Sequence, residues 1–365
     1  LLILRNIHFI NHVSNWLLPI LIQKIMEGIK SLVISRVDIF QIQEMHMTME
    51  EEIKELEEEI RKTPYNKATQ AHIGRLKAKL ARLKAQPKKS GGGGLGYSIR
   101  KAGDATVILV GFPSVGKSTL LNRLTNASSP VAEYDFTTLK VIPGMLEYRG
   151  ARIQVLDIPG IIEEASSGKG RGREVLSVMR NADLLLILIS GKEWERQKQI
   201  IDQELYQAGF RVNQKPPDVK LVVKSQGGIR VEAVGRIDLS EATIMDVLKE
   251  FRVHNAEILI RERIGLDQLI DCLAKNRIYL PAVFILNKAD VFSGRVEKGV
   301  MKISALKNEG IDSLREAVWR ILDFKRIYLK KPGKEPDLKE PLVIRGFANV
   351  KTICTRLNLL NGFKY

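Results

Sequence analysis

The sequence predicts an α/β protein whose parallel sheet follows a helical hairpin and hosts a smaller α+β insert. Three observations carry that expectation. A β-branched run, Ala105 to Val110, passes directly into the glycine-rich Gly111–Ser118, as a buried strand passes into a phosphate-binding turn and helix. Ahead of it, apolar residues recur at helical spacing on two segments separated by the breaker Thr63-Pro64-Tyr65-Asn66. Downstream, 130 residues separate Asp157 from Asn287, more than a helix, a strand and a second helix require. The chain of 365 residues is 44% hydrophobic and 27% charged, which suits two or three globular domains and not a disordered or fibrous chain. Two cysteines, Cys272 and Cys354, exclude a disulfide framework or a four-cysteine zinc site and point to a reducing compartment. The net charge of +16 favours polyanionic partners such as nucleic acid.

Residues 1–46 read as an N-terminal extension without chemistry. The apolar run Trp16 to Ile22 lies between Asn11, His12 and Asn15 on one side and Gln23, Lys24 and Glu27 on the other. It is far short of the about 20 apolar residues that cross a bilayer. No small-residue cleavage site follows a basic start, so neither membrane insertion nor secretion is expected and a cytoplasmic location follows. A more natural beginning lies at Met45, Met47 or Met49, with the preceding tract read as upstream translation.

Residues 47–90 read as a basic helical hairpin. Met49, Ile53, Leu56 and Ile60 form one stripe; Ile73, Leu76, Leu80 and Leu83 form a second. The first helix is acidic, whereas residues 61–100 hold eleven basic residues and no Asp or Glu. Two readings stand side by side: solvated faces that attract each other, or a basic arm that contacts RNA phosphates. Gly91 to Gly94 read as a flexible linker into the next domain.

The chemistry concentrates in residues 91–322. Gly111, Phe112, Pro113, Ser114, Val115, Gly116, Lys117, Ser118 and Thr119 fit G-x-x-x-x-G-K-S and the start of its helix. There the glycines let backbone N–H groups wrap phosphates, Lys117 faces the β- and γ-phosphates, and Ser118 offers an oxygen to Mg²⁺. Asp157-Ile158-Pro159-Gly160 ends the run Ile153 to Asp157, so its carboxylate can reach Mg²⁺ through water while the Gly160 N–H senses the γ-phosphate. A threonine in Tyr134 to Leu139 can complete the metal shell only when that phosphate is present, which makes a switch. Asn287-Lys288-Ala289-Asp290 follows the apolar run Ala282 to Leu286. A carboxylate there accepts from guanine N1–H and its 2-amino group, neither of which adenine offers. Ser304-Ala305-Leu306, after the strand expected over 299–303, can place backbone N–H groups at guanine O6.

Together, Gly111–Ser118, Phe136-Thr137-Thr138, Asp157–Gly160, Asn287–Asp290 and Ser304–Leu306 resemble the translation-factor-class P-loop GTPases of the Obg superfamily, with the Phe-Thr-Thr triplet their particular mark. The closer resemblance is to the developmentally regulated GTP-binding proteins (DRG), carried by Asn66–Thr69, Ala71–Gly74, Leu76–Lys79 and Gly170–Leu176 and covering residues 47–345. It implies binding of GTP and GDP, hydrolysis of GTP, Mg²⁺ held by Ser118, Thr138 and Asp157, and catalytic roles for Lys117, Thr138 and Gly160. It also implies an inserted domain related to ribosomal protein S5 domain 2 at 210–263 and a C-terminal TGS-like β-grasp segment at 323–365. Asp218 to Lys224 and Ile229 to Val234 are expected to pair as a hairpin in the insert, followed by a helix near 241–251 and a strand at 256–260. Arg326 to Lys330 and Pro341 to Arg345 resemble the first two TGS strands. The 20 residues after Arg345 are too few for the rest, so a truncated or frame-shifted end is expected.

The resemblance implies a regulatory switch in translation, acting with ribosome or RNA. Ile161 stands where Ras-like enzymes orient water with Gln, so intrinsic hydrolysis should be slow. Superfamily resemblance offers K⁺ or an activating or stabilising protein partner as the compensating group, although Ser114 replaces the Asn of K⁺-dependent relatives. Ser167 to Arg173 reads as a solvated glycine-rich loop, with an arginine finger from Arg171 or Arg173 as the alternative. Three other readings stay open: a nucleotide-gated RNA- or ribosome-binding module with incidental hydrolysis, an Obg-type ribosome-assembly GTPase, and a membrane-tethered GTPase.

Overall fold

A computed structural model describes residues 51–85, 102–125, 141–158, 178–235, 237–330, 333–339 and 341–357. The N-terminal extension, the four-glycine linker, Phe136-Thr137-Thr138, Pro159-Gly160, Ile161 and the loop from Ser167 to Arg173 lie outside the described residues. The chain divides into two compact units, one comprising Leu1–Pro87 with Asp218–Ala274 and the other Lys88–Pro217 with Lys275–Tyr365.

The second unit is built on a six-stranded sheet. In chain order its strands are β1 (Ala105–Gly111), β2 (Ile142–Tyr148), β3 (Ala151–Asp157), β4 (Leu184–Ser190), β10 (Ala282–Asn287) and β11 (Val300–Lys302). Their spatial order is β11-β10-β4-β1-β3-β2. All pairings are parallel except β2 with β3. Central β1 is buried along its whole length, as a parallel strand covered on both faces must be. Its alternate side chains separate into two cores. Val107 and Leu109 join a cluster with Leu120, Leu314 and Val318, from α3 (Lys117–Leu124) and α7 (Ile311–Ile321). Ile108 and Val110 join Trp194, Ile201 and Leu205 of α4 (Trp194–Gln207) on the other face.

β5 (Phe210–Val212) pairs in parallel with β9 (Ile278–Leu280) and belongs to this unit. The first unit therefore takes up the chain at Asp218 and keeps it to Ala274, where the sequence suggested 210–263. Beyond the sheet, β12 (Phe324–Ile327) pairs antiparallel with β13 (Leu342–Arg345). Phe324 and Val343 share the core of the sheet, and the Trp319 and Phe324 rings lie 5.2 Å apart. Arg345 meets Asp183 at 2.6 Å, and Asp183 also accepts from the Thr106 N–H at 2.8 Å. The strand expected over 326–330 thus begins two residues earlier, where Phe324 can reach the core. After Gly346, α8 (Val350–Arg356) is capped by Asn349, whose side chain accepts from the Thr352 N–H at 2.7 Å.

In the first unit, α1 (residues 51–62) and α2 (Gln70–Ala85) form the hairpin. The Asn66 carboxamide accepts from the Ala68 and Thr69 N–H groups, and the Thr69 hydroxyl donates to Pro64 O, which closes the turn. The other elements are β6 (Val219–Val223), β7 (Ile229–Ala233), α5 (Glu241–Glu250), β8 (Ala256–Ile260) and α6 (Leu266–Ala274). β6 and β7 do not form the expected hairpin. β8 lies between them, antiparallel to β6 and parallel to β7. It alternates buried Ala256, Ile258 and Ile260 and is the strand that profits most from two neighbours. The Gln226-Gly227-Gly228 corner serves this arrangement, since Gly228 N–H donates to Asn255 Oδ1 and Lys224 N–H to Asn255 O.

Of its expected stripe α2 buries Ile73 and Leu83, leaving Leu76 and Leu80 half-buried, and it also buries Gly74, Ala78 and Ala81 in a core with Ile244, Val247 and Leu269. A Cβ at Gly74 would lie 3.2 Å from Val247 and 3.3 Å from Leu266, so glycine permits the close approach. Four basic side chains of α2 have local partners. Lys79 meets Glu52 at 2.7 Å, Lys84 meets Glu57 at 2.6 Å and Lys77 meets Asp267 at 2.7 Å, while Arg82 donates to Glu250 O at 2.7 Å. These contacts favour the attracting-faces reading of the hairpin, although each exposed pair contributes only about 0–1 kcal/mol.

Replacing Gly74 by Leu should destabilise the protein by about 1–3 kcal/mol through overpacking, read as a lower midpoint in denaturant unfolding. Burial pushes the half-buried Cys272 thiol up to about 11, helped by Asp271 and Glu262. Its alkylation by iodoacetamide at pH 8, followed on the Cys272 peptide by mass spectrometry, should therefore run about a hundredfold slower than in urea-unfolded protein.

Candidate nucleotide-binding site

The candidate residues gather at the carboxyl ends of the parallel strands, where open α/β sheets bind ligands. β1 ends at Gly111, β3 at Asp157, β10 at Asn287, and β11 stops just before Ser304. A Cβ at Gly111 would lie 2.5 Å from Leu188 O, so the loop can leave β1 only with glycine there. Phe112 packs against both cores, Val115 is buried, and Pro113 and Ser114 are exposed between them. Ser114 adopts φ 59° and Gly116 φ 95°. At Gly116 a Cβ would fall 2.4 Å from Asn287 Nδ2, which excludes any other residue. α3 begins next, with no side-chain cap on its N-terminus among the described residues. Its first N–H groups, near Ser118 and Thr119, form a donor array suited to an anion.

Lys117 Nζ lies back across the loop and donates to Gly111 O and Phe112 O, each at 3.0 Å. Ser118 Oγ donates to Asp157 Oδ2 at 2.7 Å. Asp157 is buried, and its Oδ1 has no hydrogen-bond partner among the described residues. A hydroxyl beside a carboxylate with an unpartnered oxygen is the donor chemistry that a hard divalent cation takes. Ser118 and Asp157 therefore fit Mg²⁺. Thr138, expected to complete the set, lies outside the described residues, as do Phe136, Thr137, Pro159 and Gly160. Ile158 is described and fully buried in one of the sheet's two cores.

On the base side, Asn287 is 3% exposed and ties two loops together. Its Nδ2 donates to Val115 O at 2.9 Å and its Oδ1 accepts from the Ala305 N–H at 3.0 Å. Lys288 takes φ 61°, and Ala289 N–H donates to Ile303 O at 2.9 Å, which brings Asp290 beside Ser304. The Ser304 hydroxyl, seconded by Lys307 and Lys288, holds the Asp290 carboxyl below the usual range against some desolvation. Asp290 Oδ1 is buried without a partner among the described residues. Leu306 is exposed. The structure thus assembles residues 111–119, Asp157, Ile158, 287–290 and 304–306 in one unit.

Two contributions escaped sequence reading. Asn287 was legible as a motif letter, but not as the bridge between loops. Arg123, on the last turn of α3, donates from Nε to Ala305 O and from Nη2 to Leu306 O, both at 3.0 Å. In the sequence it is one basic residue on an amphipathic helix, and no spacing marks it.

Comparison with known proteins gives the family. Residues 106–224 match the family described as 50S ribosome-binding GTPase, MMR_HSR1, and residues 226–324 match the C-terminal region of that domain. The human developmentally-regulated GTP-binding protein 2 is 42% identical over 86% of this chain and 90% of its own length. The Dictyostelium discoideum developmentally-regulated GTP-binding protein 1 homolog is 41% identical over 87% and 91%. The chain belongs to the developmentally regulated GTP-binding protein family. An uncharacterized GTP-binding protein of Methanocaldococcus jannaschii is 49% identical over 93% of this chain and 90% of its own length. As a member of the DRG family, the chain is a GTP-binding protein with a P-loop GTPase domain.

Replacing Asn287 by Ala would strand Val115 O and the Ala305 N–H in the interior. The DRG chain should then lose about 2–4 kcal/mol of stability even without nucleotide, measurable by urea unfolding.

Proposed function

We propose that this DRG-family chain hydrolyses GTP to GDP and phosphate as a slow, Mg²⁺-dependent switch in translation, associated with ribosome or RNA in the cytoplasm. The supporting observation is the pair of buried carboxylate oxygens without partners, Asp157 Oδ1 beside the phosphate loop and Asp290 Oδ1 beside the base loop. Buried carboxylate oxygens are costly unless something pairs with them, and a metal-bound nucleotide supplies both partners.

In this reading the α3 amides and the glycine-rich loop grip the phosphates, and Lys117 exchanges its two carbonyl contacts for the β- and γ-phosphate oxygens. Ser118 and Asp157, with Thr138 by family resemblance, would hold Mg²⁺, which when bound neutralises phosphate charge. Asp290 accepts from guanine N1–H and the 2-amino group, while Asn287 keeps the phosphate loop and the base loop in register. Gly160 and Thr138 sense the γ-phosphate. Water attacks the γ-phosphorus in line, GDP leaves, and the chain mainly positions the reactants. Because Ile161 cannot orient that water through its side chain, turnover is slow unless K⁺ or a protein partner compensates. Ribosome or RNA association draws support from the matched family's description and from the net charge of +16. No helix among the described residues is long and apolar enough to cross a membrane.

The test is GTP turnover by the purified chain with Mg²⁺ in K⁺ and in Na⁺, beside Lys117→Ala. Slow, GTP-selective turnover is expected, with GTP affinity in the variant down by about tenfold to a hundredfold from the lost charged contacts. Turnover absent in both salts and with ribosomes present would overturn the enzyme reading in favour of a nucleotide-gated binding module. Asp290 gives a pH signature. Its carboxyl is held low, so its contribution is present above the ordinary 3.8 and is lost only as pH falls through its lowered value. GDP affinity measured by calorimetry should stay level between pH 8 and pH 5 as far as Asp290 governs it.

A further inference from the structure

The hydrogen bonds of the base loop leave one amide uncommitted. Ser304 N–H donates to Glu309 O at 3.0 Å, Ala305 N–H to Asn287 Oδ1 at 3.0 Å, and Lys307 N–H to Ser304 Oγ at 3.2 Å. Among the described residues no acceptor takes the Leu306 N–H. That N–H shares a peptide unit with Ala305 C=O, and in a planar trans peptide the two point in opposite directions. Whatever holds Ala305 O therefore aims the Leu306 N–H.

The group that holds it is Arg123. Its guanidinium reaches Ala305 O through Nε and Leu306 O through Nη2, each at 3.0 Å, so two successive peptide planes are gripped by one rigid fork. Arg123 sits on α3, the helix that begins at the phosphate loop. Its own carbonyl accepts from Arg315 Nη2 at 2.8 Å, and Arg315 is steadied by Asp312 at 2.8 Å. This second tie between the two halves of the site is independent of Asn287, which grips the loop by its Ala305 N–H.

We infer that Arg123 is a positioning residue for base recognition: by fixing the peptide plane between Ala305 and Leu306, it presents the Leu306 N–H to the O6 of a guanine nucleotide. The inference rests on the guanine reading of Asp290. Arg123 is exposed, so its two hydrogen bonds contribute little to stability, and their effect belongs in nucleotide discrimination.

The experiment measures dissociation constants of the full chain, in Mg²⁺, for GDP, for 6-thio-GDP and for IDP. The first analogue replaces O6 by a weaker acceptor and keeps N1–H and the 2-amino group; IDP lacks only the 2-amino group. Arg123→Ala should weaken GDP about tenfold, the size of one well-aimed hydrogen bond. It should also shrink the GDP to 6-thio-GDP preference toward one, while the GDP to IDP preference and the melting temperature stay close to those of the parent chain. Arg123→Lys, which can reach only one carbonyl at a time, should fall between, and it carries the same comparison if the alanine variant does not fold. An equal loss for all three nucleotides would mark a structural role and overturn the inference, as would an unchanged preference for GDP over 6-thio-GDP. Asp290→Ala is the control on the underlying reading. If it leaves the GDP to IDP preference intact, the guanine reading has failed, whatever Arg123 shows.

Discussion

The candidate site depends on one buried carboxamide. Asn287 spans the gap between Val115 O on the phosphate loop and the Ala305 N–H on the base loop, and no other side chain of its size can donate and accept at once in that place. Both bonds are shielded from water, where a hydrogen bond is strong and an unmade one is expensive. The requirement propagates: Asn287 Nδ2 occupies the space that a Cβ at residue 116 would need. The glycine of the phosphate loop is thus demanded by the base side of the site as well as by its own left-handed backbone.

The sheet explains why such distant residues can cooperate. Parallel strands all deliver their carboxyl ends to one edge, so Gly111, Asp157 and Asn287, the last residues of β1, β3 and β10, arrive together. Both faces of the sheet are sealed by apolar cores, which leaves that edge as the place where backbone N–H groups and carboxylates can remain unpaired. Arg123 and Arg315 extend the same logic to α3 and α7, coupling the helix that starts at the phosphate loop to the loop expected to read the base.

The smaller unit follows a different principle. Its hairpin is held by small residues, since Gly74, Ala78 and Ala81 let α2 approach α5 and α6 closely. Lys77, Lys79 and Lys84 of α2 are matched to the carboxylates of Asp267, Glu52 and Glu57. Part of the positive charge that runs together in the sequence is therefore committed to carboxylates in this fold.

By itself, the sequence determined the class of fold, the family and the candidate site residues. Lys117, Ser118, Asp157 and Asp290 were legible because phosphate, metal and guanine contacts demand particular residues at short, fixed spacings. The parallel strands were legible because full burial requires continuous apolar runs. Only the tertiary structure decided the rest, because it depends on pairings between residues far apart in the chain. β8 displaced the expected β6–β7 hairpin by offering two neighbours the most buried strand, and β5 left the insert to pair with β9. Phe324 drew the C-terminal hairpin into the main core. The bridge made by Asn287 and the grip of Arg123 belong to the same class. Each links residues more than 170 positions apart, and no local pattern encodes such a contact.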